Sequence, residues 1–503
     1  MTVAVKSAAL AGIEAVMIEV ETRVCAGVSY FIVGLAGEAV KESLFRVESA
    51  ISSGGFDMPR QKILVSLAPA GIRKEGAVFD LPIALSILGA SGQLTPEQMA
   101  DMLFTGELSL NGKLRPIKGA LSVATEARKA GIKHLILPKE NANEAAMVSD
   151  LAVYGFETLG EVVKFLNDPA QAQPVMVQQQ ELFHQADSLY EADFSDVRGQ
   201  ENVKRALEIM AAGGHNGLMI GPPGTGKTML AARLPGILPP LNLPEALETT
   251  RIYSVAGQLD GMGIMTQRPF RSPHHTVSDI ALVGGGPIAM PGDISMAHNG
   301  VLFLDELPEF KRRVLEVLRQ PLEERQVAIS RASYSVTFPA NFVLLAAMNP
   351  CPCGYFRHPH RKCTCTPQAI RTYMSKISGP LLDRIDLHIA VKPVTMEMAQ
   401  TAENSKSIRQ RVIAARNLQM DRAGVCNALM TAAMLKEFSR LGKMQQEVLN
   451  QAMVQHKLSA RSYDRILKVA RTIADLEHSQ NIDLAHLAEA IGLRCLDKDY
   501  LNR

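Results

Sequence analysis

One short stretch limits what this chain can fold into more than any other feature. Gly221, Pro222, Pro223, Gly224, Thr225, Gly226, Lys227 and Thr228 follow the apolar run 218–220 and precede a second one over 229–234. A strand, a glycine turn and a helix in that order gather backbone N–H groups and a helix N-terminus around an anion. Lys227 then reaches the β- and γ-phosphates of ATP, and the Thr228 hydroxyl is available to Mg²⁺. The flanking strand and helix separate this phosphate loop from a chance glycine turn.

The rest of a hydrolytic site is legible downstream. Residues 301–304 are a β-rich apolar run ending in Asp305 and Glu306, about 75 residues beyond the loop. Asp305 is expected to hold Mg²⁺ through water, and Glu306 to orient and deprotonate the attacking water. A third strand, 342–347, ends in Met348, Asn349 and Pro350, where Asn349 either positions the lytic water or merely forms a turn before proline. Arg384, in the segment 379–386, suits stabilisation of transition-state charge from a neighbouring subunit. Arg461 opens a helix and is placed to touch the γ-phosphate across a domain boundary. Surface salt bridges are the plain alternative for both arginines.

At 503 residues the chain is long enough for about three domains. Hydrophobic residues at 47% and charged residues at 21% exclude wholesale disorder. Val16, Ile18 and Val20 alternate with polar neighbours as in a half-buried strand, and Val40, Leu44, Val47 and Ile51 recur at helical spacing. Strand-like runs at 29–33, 62–67 and 134–137 interleave with helix-like ones at 81–88 and 121–130. These predict a first α/β domain over 1–167, a linker over 168–192, the phosphate-loop domain over 193–393, and a helical domain over 394–503 whose clearest amphipathic piece is 458–473. No apolar run reaches the ~18 residues of a membrane span, and the apolar start is interrupted by Glu14 and Glu19, so a cytoplasmic protein without membrane contact is expected. Lys+Arg 53 against Asp+Glu 51 leaves +2, so any nucleic-acid contact has to come from a local basic surface.

Four of the seven cysteines, Cys351, Cys353, Cys363 and Cys365, lie in one short segment. Four soft thiolates are enough to close a tetrahedral Zn²⁺ site, free thiols being the alternative. His358 and His360 lie between them as substitutes, and Arg357, Arg361 and Lys362 make the loop basic.

From Asp193 onward the chain resembles the magnesium-chelatase-like, ComM/YifB group of AAA+ ATPases, through the motifs at 268–276, 284–286, 301–310, 346–354 and 378–386. The resemblance implies an AAA+ core with a helical lid, in which Asn349 is sensor 1, Arg384 the arginine finger and Arg461 sensor 2. It further implies inserted hairpins around 283–294 and 326–338. The second alternates as a hairpin should, with Arg331 near its turn. At a ring pore Arg331 meets a phosphate backbone; otherwise it is a solvated turn residue. The N-terminal domain resembles the Lon protease-like fold, through 104–117 and 130–140. Aligning Lys74, Glu75 and Gly76 on the protease motif puts Val78 or a neighbour at the nucleophilic serine, and a helix over 116–128 puts Leu121 at the lysine base. Neither side chain supports proteolysis, so the fold is expected to survive without its activity, as in the DNA-repair protein RadA. Lys113 and Lys118 are either phosphate contacts or ordinary surface lysines.

The resemblance therefore implies an ATP- and Mg²⁺-dependent homo-hexamer acting on single- and double-stranded DNA. Its work would be helicase-type branch migration of recombination intermediates, promoting integration of incoming DNA in natural transformation. The competing classes are a metallochelatase motor inserting Mg²⁺ into a porphyrin and a protein-remodelling chaperone. The basic hairpin and Lon-like domain do not suit the first, and no aromatic pore loop supports the second.

Overall fold

The structure, a computed structural model, describes residues 2–177, 190, 192–259, 261, 263–286, 289–331, 334–393, 403–456 and 458–494. Most of the expected linker (178–189 and 191), the expected lid boundary at 394 and the tip of the second hairpin (332–333) lie outside these residues.

The N-terminal domain is built on β1 (Thr2–Ala11), β2 (Glu14–Cys25), β3 (Tyr30–Val33), β4 (Lys62–Ala68), β5 (Met102–Phe104), β8 (His134–Pro138) and β9 (Ala152–Phe156), with β6 (Glu107–Leu108) and β7 (Leu114–Arg115) paired apart. The seven strands run in the order β3-β4-β2-β1-β5-β8-β9, antiparallel at β4-β2-β1 and parallel elsewhere. Period-two burial in β2 and β4 sets their register, and the helix Asp80–Ala90, buried at every residue, fills the core beneath them. Two expectations shift. The helix expected over 116–128 begins only at Ala120, because Gly119 stands before it at φ +72° and Pro116 and Ile117 precede it outside the helix. The segment after 167 is not all linker: Pro169–Gln171 forms a 3-10 turn, and the Val175 amide donates to the Val153 carbonyl at the sheet edge.

The second domain carries a parallel sheet of β10 (Gly217–Ile220), β11 (Phe270–Arg271), β14 (Val301–Leu304), β17 (Val343–Met348) and β18 (Leu387–Ala390), in the order β11-β14-β17-β10-β18. β10 and β14 are buried at every position, as apolar runs covered on both faces should be. Two small ribbons project from it. β12 (Gly284–Gly285) pairs with β13 (Met290–Pro291), and β15 (Gln326–Arg331) pairs with β16 (Tyr334–Pro339) with Arg331 opposite Tyr334. Val327, Ile329 and Phe338 are buried, which anchors the base of the longer hairpin in the domain core.

Helices Ser405–Ala423, Ala432–Phe438, Lys443–Gln455, Ala460–Leu476 and Leu484–Gly492 follow. They have no separate core: Ile408, Val412, Ile466, Ile473 and Leu487 share one cluster with Leu207, Leu234 and Leu345 of the sheet domain. Buried polar groups cross the same seam. Asp386 takes an ion pair from Arg465, and His215 Nε2 lies 2.7 Å from the Thr472 hydroxyl. The N-terminal domain docks through its helix Ala120–Lys129 onto the helix Leu243–Ala256, burying Leu121 and Ala124 with Leu241, Ala246 and Ile264. Its β1–β2 turn reaches the longer hairpin, where Gly12 has φ +68° and a side chain there would collide with Val336. Among the described residues no helix is long and apolar enough to cross a membrane.

Candidate nucleotide site

The tips of three adjacent parallel strands build the site. After β10 the chain turns through Gly224 (φ +75°) and Gly226 (φ +84°) and enters the helix Lys227–Ile237. The first amides of such a helix have no intrahelical carbonyl to bond, so they are open to an anion. Gly221 lies so close to the Val391 carbonyl that a Cβ would stand 2.4 Å from it. Lys227 folds back across the turn, its Nζ donating to the carbonyls of Gly221 (2.8 Å) and Pro222 (2.9 Å) and to Asn349 Oδ1 (3.1 Å). Burial lowers the ammonium's pKa, and Asp305 and Glu306 partly oppose that shift. A phosphate chain would supply the negative charge this buried cation lacks.

β14 ends in the two expected carboxylates. Thr228 Oγ1 donates to Asp305 Oδ2 at 2.6 Å, which sets two hard oxygens side by side as Mg²⁺ requires. Glu306 adopts the left-handed region at φ +52°, sparsely populated for a residue with a side chain. That conformation turns it out of the strand, where His275 Nδ1 lies 3.5 Å from its Oε2. The structure thus brings together the loop, Lys227, Thr228, Asp305, Glu306 and Asn349. His275 had no assigned role; its signal was only its place in the motif at 268–276.

Arg384 and Arg461 gather elsewhere. Arg384 is 8% exposed, its guanidinium bonding Glu323 at 2.5 Å and the Pro380 carbonyl at 2.6 Å. Arg461 is exposed at the start of its helix, and both arginines depress the pKa of Glu323. Among the described residues no atom of the phosphate loop is a hydrogen-bond or ion-pair partner of either arginine. Glu323 was not legible as a participant, because its pairing depends on a contact some sixty residues distant in sequence.

Beyond Asn349 the four cysteines converge. Cys351, Cys353 and Cys363 sulfurs stand 3.4–3.7 Å apart, and all four sulfurs lie within 4.8 Å of one another. His358 and His360 are not part of that group: His358 Nδ1 accepts the amides of His360 and Arg361, which turns its ring into the loop's own fold. Arg357, Arg361 and Lys362 are exposed, with Arg361 donating to the Tyr355 hydroxyl at 2.7 Å. Arg331 ends β15, and nothing further is described of its side chain. In the N-terminal domain Leu121 is 1% exposed in the interdomain core, and Val78 is half-buried against its own domain's core. Lys113 and Lys118 are both exposed, and the stem of Lys118 lies over Gly257 of the second domain.

Comparison with known proteins agrees with this architecture. A family model described as magnesium chelatase, subunit ChlI, matches residues 193–399, and further models of subunit ChlI match 20–141 and, for its C-terminal part, 402–494. The chain is 44% identical to competence protein ComM of Haemophilus influenzae over 500 residues, 98% of this chain and 97% of the relative. The chain belongs to the magnesium-chelatase family of AAA+ ATPases, in its ComM/YifB group. Protein YifB of Salmonella typhimurium is 44% identical over 499 residues, again 98% and 97% of the two chains. The N-terminal part is also 30% identical to an archaeal Lon protease of Thermococcus kodakarensis over 138 residues, 26% of this chain and 21% of that protein. Membership of this AAA+ family implies ATP and Mg²⁺ as the ligands of the site, and the residues present fit both.

Proposed function

We propose that this protein is an ATP-driven, hexameric DNA motor that branch-migrates recombination intermediates and so promotes integration of incoming DNA in natural transformation. The observation that carries the reading is the short physical path from nucleotide to hairpin. β16 ends at Pro339, β17 begins at Val343, and β17 delivers Asn349 to the Lys227 amine. A change at the γ-phosphate is therefore linked through the single strand β17 to the base of a hairpin whose tip includes Arg331. The name of the ComM relative, a competence protein, supports the same process.

In this reading Lys227 and the loop amides bind the phosphates, Thr228 and Asp305 hold Mg²⁺, Glu306 takes the proton from water, and Asn349 senses the γ-phosphate. Arg384 and Arg461 serve the neighbouring subunit's nucleotide. Their common partner Glu323 is 54% exposed, so the cluster lies at a surface a neighbour can cover. Arg331, Arg357, Arg361 and Lys362 contact the DNA backbone, and the four cysteines hold zinc. The N-terminal domain acts in assembly and DNA engagement rather than in proteolysis.

ATP turnover measured without DNA, with single strands and with branched duplex tests the reading; strong stimulation by DNA is expected, and indifference to DNA would instead favour the chelatase or chaperone alternatives. Mixing Arg384→Ala protein with Lys227→Ala protein should restore part of the ATPase activity missing from each alone. No recovery in rings shown to exchange subunits defeats the assignment of Arg384.

A further inference from the structure

The cysteine cluster does more than lie near the nucleotide site; it is mechanically joined to it from two sides. Cys351 is fully buried two residues beyond Asn349, whose side chain holds the Lys227 amine at 3.1 Å. Gly354, at φ +83°, presses its backbone against the phosphate loop so closely that a Cβ there would stand 2.5 Å from Pro223 Cδ. The Gly354 amide donates to the Cys351 carbonyl at 2.9 Å, so the contact with Pro223 and the buried cysteine are one turn of chain. On the other side, Thr366 directly follows Cys365 and caps the helix Pro367–Met374, whose Tyr373 and Met374 pack in the same core as Met348.

This turn has little else to hold it. Residues 351–366 contain no helix or strand, and of their side chains only Cys351 is buried. A loop that buries almost nothing cannot define its own position and needs a staple. The separations of 3.4–3.7 Å among the Cys351, Cys353 and Cys363 sulfurs, with Cys365 within 4.8 Å, are far beyond a disulfide's ~2.05 Å and near the ~3.8 Å edge of a tetrahedron with Zn–S bonds of ~2.3 Å. The Cys353 amide donates to the Cys365 sulfur at 3.4 Å and the Phe356 amide to the Cys351 sulfur at 3.3 Å. Donors aimed at sulfur are what stabilise thiolate ligands around a soft cation.

We infer that a zinc ion held by Cys351, Cys353, Cys363 and Cys365 is the clamp that fixes the phosphate loop, so that metal occupancy sets nucleotide affinity. The inference rests on the zinc reading above and extends it from a loop staple to control of the ATP site. With zinc in place, Gly354 backs Pro223 and Asn349 stays aligned on Lys227. Without it, the turn has no fixed position, and both supports of the loop relax together.

The test uses full-length protein with measured zinc content and a fluorescent ATP analogue with Mg²⁺ as the probe. About one zinc per chain is expected. Stripping the metal with a thiol-selective mercurial and a chelator, then reversing the mercurial with excess thiol, should weaken analogue binding by about tenfold or more. Returning Zn²⁺ should restore it. Because the cysteine variants risk misfolding, Gly354→Ala supplies an independent arm. It leaves all four thiols intact yet forces a methyl group into Pro223, so it should keep its zinc and still lose affinity to a comparable degree. A metal-free native protein overturns the site. A zinc-bound protein whose affinity is unchanged by stripping, or by Gly354→Ala, overturns the clamp while leaving the zinc and ATPase readings standing. A zinc-loaded wild type that fails to bind the analogue overturns the clamp by removing the nucleotide site it acts on.

Discussion

The nucleotide site and the Lon-like domain are both α/β units, and they have treated their polar clefts in opposite ways. At the strand tips of the ATPase sheet, Lys227, Thr228, Asp305 and Asn349 hydrogen-bond one another around an open turn. At the positions proposed to match the protease's serine and lysine stand Val78, half-buried, and Leu121, sealed beneath the helix Leu243–Ala256 of the next domain. A cleft that must admit substrate cannot be capped by a neighbour, whereas a leucine at such a position stabilises a domain interface through apolar burial. One unit gathers polar side chains at its strand tips, and the other buries apolar ones against its neighbour.

The comparison is broken most severely at the working site. Glu306→Gln keeps Asp305 and the loop, so nucleotide binding should persist while turnover falls by about 10² to 10⁴-fold. ATPase close to wild type would remove Glu306 from the mechanism.

The next largest effect is expected at the seam between the sheet and the C-terminal helices. Burial opposes ionisation of Asp386, but the Arg465 guanidinium, His215 and the Asn216 amide outweigh it and hold the carboxyl well below its ordinary range. Asp386→Asn strands Arg465 beside a neutral partner and should cost about 3–5 kcal/mol, read by chemical unfolding. A depressed carboxyl pKa means the ion pair's contribution is complete above the ordinary value of 3.8 and lost only as pH falls below it. The Arg465–Asp386 pair itself should therefore contribute evenly from about pH 5 to 8; a decline as pH falls below 6.5 belongs to neighbouring His215, whose pKa burial lowers.

Leu121→Lys sharpens the contrast from the other side by placing a protease-like base in the Lon-like domain. With Val78 still at the nucleophile position, no peptidase activity should appear. The buried ammonium should instead destabilise the docked pair by on the order of 3 kcal/mol. Peptidase activity surviving repurification, or a variant as stable as wild type, would refute this contrast between the two units.

What could be read beforehand divides along the same line. Lys227, Asp305 and the cysteines are legible because phosphate, Mg²⁺ and soft-metal chemistry each demand fixed residue types at short spacing. The strands around Val16–Val20 and β4 are legible because burial on one face imposes period two. Arg384 is legible as an arginine near the ATPase core, but not its pairing with Glu323. The docking of the helix Ala120–Lys129 on Leu243–Ala256 was equally hidden, as was the contact of the Gly12 turn with Val336. All three are tertiary contacts between residues distant in sequence, which leave no local periodicity. The helix Ala120–Lys129 agrees with the helix-like run read over 121–130; only the placement over 116–128 started it early, ahead of Gly119.

The smallest effect lies at the edge of the same interface, and its pH dependence gives it diagnostic value. Glu144 is buried, and burial raises its pKa; the Ser254 hydroxyl, crossing from the ATPase domain, and the Leu121 amide at 2.8 Å both donate to its carboxylate and pull the value back. Between the ordinary 4.5 and the raised value, the folded state holds a proton that the unfolded state has released, so this group's contribution declines as pH rises. The serine supports the ionised form and softens that decline. Ser254→Ala should therefore cost little well below pH 4.5, where the carboxyl is protonated folded or unfolded, and about 1–2 kcal/mol once pH exceeds the raised value and the ionised Glu144 has lost a donor. Urea unfolding of both proteins across that range measures the difference. A deficit independent of pH would mean that Ser254 contributes only packing, and that the carboxylate seated beside Leu121 is not what joins the two domains at this edge.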